Sequence, residues 1–151
     1  MIKLPLKQGG YALIDDRFKH LLQYSWRLDR KGYAVRTPGG KSVKLHRVIM
    51  DAPDDRDVDH INHNKLDNRQ SNLRVCTRSQ NSLNRSKRVN CSSIFKGVYY
   101  YARHRNWRAQ IKGIHIGYFA TETEAATAYD DRAMAMFGKF AKLNAIGAKN
   151  D

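Results

Sequence analysis

The sequence predicts an α+β protein in two parts. A small strand–helix–hairpin unit leads into a strand–strand–helix module, and a three-stranded antiparallel sheet packed on one helix follows. Three observations carry this prediction. Residues 56–88 read as strand, long polar loop, strand and helix, with a capping box at the helix start. Residues 95–119 read as three short strands. A second capping box, Thr121-Glu122-Thr123-Glu124, then opens a helix with one alanine- and aromatic-rich face. The 151 residues divide accordingly into an N-terminal unit (1–50), a strand–strand–helix module (51–88), a linker (89–94), a sheet-and-helix domain (95–144) and a tail (145–151).

In chain order, Tyr11–Ile14 is a short apolar strand stopped by Asp15 and Asp16. Phe18, Leu21, Leu22 and Trp26 fall on one helical face, with Trp26 in the core. Lys31-Gly32 is a turn. Tyr33–Thr37 and Lys41–His46 flank Pro38-Gly39-Gly40 as a hairpin. The acidic loop 51–57 reads as a solvated turn, because its carboxylates lack calcium-loop spacing. Arg56–Ile61 and Leu73–Thr77 are the paired strands of the module. Thr77 and Gln80 cap a helix from Arg78 to Arg88. Phe95–Ala102, Trp107–Lys112 and Ile114–Phe119 are the later strands. Ala125, Ala128, Tyr129, the Arg132 stem, Ala133, Met136 and Phe137 line the last helix, which Gly138 ends.

Charge narrows the partner. The formal net charge is +14. From Asn68 to Thr121 there is no Asp or Glu, yet Arg69, Arg74, Arg78, Arg85, Lys87, Arg88, Lys96, Arg103, Arg105, Arg108 and Lys112 fall there. A merely solvated surface mixes signs, whereas a long one-sign stretch with folded-domain patterning suits a polyanion. The sequence has no apolar run of about 18–20 residues, so no membrane span is expected. No secretory leader is expected either. Cys76 and Cys91 do not form a Cys-x-x-Cys pair, so neither a structural zinc site nor a disulfide scaffold is expected, and a cytoplasmic setting is the simplest.

The stretch from Asp59 to Asn81 carries chemistry. It sets a carboxylate beside an imidazole, with asparagines 12 and 21 positions after that imidazole. Hydrolysis of a phosphodiester needs an activated water, an in-line leaving oxygen and neutralisation of charge at phosphorus. A hard divalent cation suits hard oxygens, here the Asp59 carboxylate and the Asn81 amide. Neutral His60 can deprotonate water near physiological pH. Asn72 can donate and accept at once, pinning the loop that follows His60. Neighbouring strand residues face opposite ways, so Asp59 and His60 can share a site only where the strand ends or bulges.

Asp59-His60-Ile61-Asn62, Leu66-Asp67-Asn68-Arg69 and Ser71-Asn72-Leu73-Arg74 resemble the HNH nucleases, the ββα-metal fold, in their phage homing-endonuclease form, over roughly residues 43–88. The resemblance implies metal ligation by Asp59 and Asn81, general base by His60 and loop bracing by Asn72. It implies one divalent cation, magnesium or manganese. His63 stands where that family usually has Gly or Asp and reads as an exposed turn histidine. His46 reads as a packing or phosphate-contacting residue.

Phe95-Lys96-Gly97-Val98, Trp107–Lys112, Ile116–Phe119, Glu124–Tyr129 and Leu143-Asn144 resemble the apetala-type DNA-binding domain of plant ethylene-response factors, over about residues 92–144. In that fold the sheet lies in the major groove and the helix packs behind. Alternation sets Arg108, Gln110 and Lys112 opposite Ala109 and Ile111. The implied DNA face is Lys96, Tyr99, Tyr101, Arg103, Arg105, Arg108, Gln110, Lys112 and His115. Tyr99 and Tyr101 stand where the family has Arg, so stacking on sugars or phosphate hydrogen bonds replaces guanine reading there. Trp107 suits core or DNA contact equally.

The expectation is therefore a metal-dependent, site-specific DNA endonuclease of homing type, acting on double-stranded DNA as a monomer or weak homodimer. If phage-encoded, it works in the host-cell cytoplasm. A non-catalytic DNA-binding regulator with a decayed nuclease motif is the alternative, and an RNA-directed protein is a third.

Overall fold

The computed structural model describes residues 1–84, 92–144 and 146. The chain divides into two compact units, Met1–Asn81 and Ser82–Asp151.

In the first unit, β1 (Ile2–Pro5) pairs antiparallel with β2 (Tyr11–Ile14). The stretch expected as a helix is a kinked 3-10 run, Asp16–Gln23, with non-helical φ and ψ at Phe18. Leu21 is buried, but Leu22 is exposed. Trp26 lies beyond the run, bridged to Leu6 and donating Nε1–H to the Leu21 carbonyl (3.0 Å). Trp26 is therefore core, as expected, but not through a helical face. β3 (Arg27–Leu28), β4 (Ala34–Arg36) and β5 (Val43–Lys44) form a small sheet, with β4 and β5 as the expected hairpin. The hairpin is shorter than the sequence suggests. Leu45 and His46 belong to α1 (Leu45–Met50), whose apolar Leu45 and Ile49 turn inward four residues apart.

β6 (Asp57–His60) and β7 (Leu73–Cys76) pair antiparallel, Asp59 opposite Arg74 and His60 opposite Leu73. Helix α2 (Arg78–Leu83) follows. Its capping box is formed: the Gln80 N–H donates to Thr77 Oγ1 (3.2 Å) and the Thr77 N–H to Gln80 Oε1 (2.9 Å). The expected continuation to Arg88 and the basic link with Arg85, Lys87 and Cys91 lie outside the described residues. One core joins the segments on either side of residue 50: Leu4, Ile14, Leu21, Trp26, Leu45, Ile49, Val58 and Leu73 pack together. Burial of this apolar surface is the main force holding the unit.

In the second unit, β8 (Val98–Tyr101), β9 (Asn106–Ile111) and β10 (Ile114–Phe119) form an antiparallel sheet in the order β10-β9-β8. Lys112 and Gly113 both take positive φ, the two-residue turn that suits a twisted hairpin. Helix α3 (Glu122–Phe137) begins at the Thr121–Glu124 capping box and ends at Gly138. Val98, Ala109, Ala125 and Ala126 form one cluster; Ile111, Tyr129 and Ala133 form another. Met136, expected on this face, is exposed, and Ala126 is buried instead. Gly97 takes φ +77°, and a Cβ there would meet the Tyr129 ring and, at 2.7 Å, the Gln110 carbonyl. Asn144 latches the end of the unit: it accepts from Lys96 N–H (2.6 Å), and its Nδ2 donates to Asp130 Oδ1 (2.9 Å).

Candidate active site

Strand β6 stops at His60, and the chain turns at once. This is the irregularity that lets neighbours share a site. Asp59, His60 and Asn81 line one cavity of about 160 Å³, together with Tyr33, Val58, His63 and Lys65. α2 delivers Asn81, whose amide Nδ2 donates to Asp57 Oδ2 (3.0 Å). With that nitrogen committed, the amide oxygen is what Asn81 can offer a cation.

His60 is 5% exposed. Burial holds its imidazole below the usual histidine range, while Asn68, Asp59 and Asp67 pull the other way. The ring is therefore neutral at pH 7, the state a base requires. Two rings enclose it. His46 packs edge-on at 5.1 Å and Tyr33 lies at 6.0 Å, with Tyr33 and His46 themselves 5.0 Å apart. His46 is buried, its Nδ1 has no hydrogen-bond partner, and burial drives its pKa down to about 3. It is thus an uncharged ring packed between Tyr33 and His60.

The loop from Asn62 to Asn72 is a lattice of polar bonds. Asn72 is buried. Its Oδ1 accepts the Asn62 N–H (3.0 Å), and its Nδ2 donates to the Asp67 carbonyl (2.8 Å). Asp67 is a second hub. Its carboxylate takes Arg69 Nε and Nη2 (both 2.7 Å) and Asn62 Nδ2 (2.9 Å), and the Arg69 bonds, first among the causes, hold it below the usual carboxylate range. Strand β2 supports the loop from outside: Leu13 N–H donates to the Leu66 carbonyl (2.7 Å), and Asn68 N–H donates to the Leu13 carbonyl (2.8 Å). Asp15 Oδ2 accepts the Gln70 N–H (2.8 Å). His63 sits exposed at the turn with φ 64°, a conformation a Gly would take without strain.

Asp59 has a partner the sequence did not suggest. Arg74, opposite it on β7, donates Nε (2.9 Å) and Nη2 (2.7 Å) to Asp59 Oδ2. Among the described residues no three His, Cys, Asp or Glu side chains cluster as a metal-binding group. A cation held here would rest on Asp59, Asn81 and oxygens of water or phosphate. That hard-oxygen donor set fits magnesium, which keeps several waters and takes one or two carboxylates.

The sequence-derived DNA face is only partly gathered. Register places Tyr99, Arg108 and Tyr118 in one cross-strand row, with His115 beside Gln110 and Tyr101 beside Asn106. Rings continue across it: Tyr101 to Tyr118 (5.6 Å) and Tyr118 to His115 (4.7 Å). Arg103 and Arg105 are exposed in the turn after β8. Lys96 instead turns its Nζ to the Leu83 carbonyl (2.6 Å), and burial lowers its pKa. Lys112 Nζ lies over the Phe137 ring (5.1 Å), on the helix side, because the turn redirects it. Trp107 packs against the core cluster and the Tyr100 ring (5.1 Å). Tyr118 was missed because plain alternation sets it with Ile116, opposite His115; the register shift between His115 and Gly117 is what brings it into this row.

No helix of the described residues is long and apolar enough to cross a membrane. No solved structure matches the chain. The HNH endonuclease family matches residues 43–83, the segment that holds Asp59, His60, Asn72 and Asn81. An uncharacterized HNH endonuclease of Acanthamoeba polyphaga mimivirus is 39% identical over 150 residues, covering 92% of this chain and 77% of the viral protein. With that extent of similarity around this strand–loop–strand–helix cavity, the chain belongs to the HNH endonucleases.

Proposed function

We propose that this protein is a site-specific DNA endonuclease of homing type, with His60 as the base that activates water. The observation that carries the reading is the single cavity shared by Asp59, His60 and Asn81, with His60 buried and neutral. Asp59 and Asn81 would hold one divalent cation, magnesium or manganese, which would supply neutralisation of the charge growing on the phosphate and the leaving oxygen. His60 removes a proton from water. Asn72 keeps the following loop in place, so the ring meets the phosphate at a fixed angle. The second unit, read as an apetala-type domain, lays its sheet on duplex DNA, with Tyr99, Tyr101, Arg103, Arg105, Arg108, Gln110 and His115 as the contacting face. Arg side chains reach base edges or phosphates there, and tyrosines stack on sugars. One such site per chain cuts one strand, so a double-strand break takes a dimer or a second event.

The Arg74–Asp59 pair supports a second reading, a DNA-binding regulator that does not cleave, because a guanidinium already balances the carboxylate. A plasmid-nicking assay with magnesium separates the two. The nuclease reading expects nicking by wild type and none by His60→Ala at equal DNA binding. Binding without nicking by either protein would overturn it in favour of the regulator.

A further inference from the structure

His60 has two ring nitrogens, and in the neutral ring only one carries the lone pair that can take a proton from water. What holds the other nitrogen decides which. The side chain that does so is Asn68, which is 0% exposed. Its Nδ2 donates to the Lys65 carbonyl (3.2 Å). Its Oδ1 therefore faces His60 Nε2, at 3.4 Å. An amide oxygen can only accept. Turning the amide over would set Oδ1 against the Lys65 carbonyl, acceptor against acceptor, in a dry place. So Nε2 carries the hydrogen and Nδ1 the lone pair. At 3.4 Å the contact is long for a hydrogen bond, and it acts by excluding the wrong tautomer more than by binding tightly.

Two further features keep the arrangement. The Asn68 N–H is tied to the Leu13 carbonyl of β2 (2.8 Å), so its backbone cannot drift. His46, edge-on to His60 at 5.1 Å, restricts rotation of the ring.

We propose that Asn68 is a positioning residue that fixes the Nε2–H tautomer of His60, so that Nδ1 is the nitrogen that deprotonates water. The catalytic half of this rests on the nuclease reading above. In the step itself the water O–H bond breaks and its proton joins Nδ1, giving an imidazolium. The hydroxide adds to phosphorus, and the ester oxygen leaves with the electrons of its bond and takes a proton from solvent water.

The test uses the full chain labelled with 15N-histidine, free of DNA and metal, at a pH where the ring is neutral. His60 is assigned by the signal lost in His60→Ala. Wild type is expected to show a protonated Nε2 and a pyridine-type Nδ1; the reverse tautomer overturns the proposal. Asn68→Leu keeps the shape and removes the acceptor. It is expected to shift the tautomer toward Nδ1–H and to lower the kcat for nicking by roughly tenfold to a hundredfold, with KM for DNA unchanged. Asn68→Asp retains an acceptor and is expected to keep the wild-type tautomer and recover most of that loss. If both variants lose kcat alike while both keep the wild-type tautomer, Asn68 is a loop brace and the proposal fails. Should neither variant fold, the wild-type tautomer alone still decides. Absence of nicking by wild type would sink the nuclease reading separately, since the NMR result needs no activity.

Discussion

Replacing Asn72 by alanine tests whether the loop after His60 is held by one amide. In the wild-type protein that amide makes two bonds, accepting from Asn62 N–H (3.0 Å) and donating to the Asp67 carbonyl (2.8 Å). Asn62 is exposed, so its freed N–H finds water, and losing that bond costs about 1 kcal/mol. Asp67 is buried, so its carbonyl is left without a donor, at a cost of roughly 1–3 kcal/mol. The expected destabilisation of the first unit is therefore about 2–4 kcal/mol. Urea titration of the full chain, followed by fluorescence of Trp26 in the first unit's core, measures it. Asn72→Asp provides the control. It is the same size, but its second oxygen would face the Asp67 carbonyl, so it is expected to be at least as destabilising as alanine. A loss under about 0.5 kcal/mol for the alanine variant, the range of a neutral surface change, would refute the reasoning. So would a well-tolerated aspartate.

Acidification should weaken the fold through His46. Its folded pKa is depressed to about 3 by burial, so the unfolded chain binds the proton first. Stability from this group is complete above about pH 6.5 and is lost as pH falls from there toward 3, by roughly 2–3 kcal/mol at pH 4.5. His60, also lowered, acts in the same direction. His46→Phe should flatten the dependence in urea titrations at pH 7 and 4.5; an unchanged slope would contradict it. Gly97→Ala should destabilise the second unit by more than about 1 kcal/mol, because φ is +77° and the added carbon meets Tyr129 and the Gln110 carbonyl. Thermal melting followed through Trp107 reads this out. DNA binding should weaken steeply with salt, by about 0.9 log units per log salt for each phosphate neutralised. The double substitution Arg103→Ala/Arg105→Ala should lower that slope by about 2, and an unchanged slope removes these two residues from the DNA face.

Much of the architecture is legible in the sequence because it is locally encoded. Both capping boxes form where Thr-x-x-Gln and Thr-x-x-Glu predict them. Alternation in β9 separates Ala109 and Ile111 from Arg108 and Gln110. Lys112 departs from that parity because a positive φ turns the chain there, and strand alternation does not extend into a turn. The run from Asp16 to Gln23 has the apolar spacing of a helix, yet it packs as a 3-10 segment, since burying Leu21 and Trp26 outweighs helical geometry.

The site divides the same way. The residue types and spacings of Asp59, His60, Asn72 and Asn81 are properties of the chain, and together with the family resemblance they are what the proposed hydrolytic site is built on. Which atoms meet is a long-range matter. Arg74 reaches Asp59 only because β6 and β7 pair in one register. His46 and Tyr33 enclose His60 only because the first fifty residues share its core. Asn68 faces His60 only because Leu13 and Lys65 fix its backbone and its amide. Local signals set elements and chemistry, whereas a side chain's partner depends on packing between segments far apart in sequence, which no local pattern encodes.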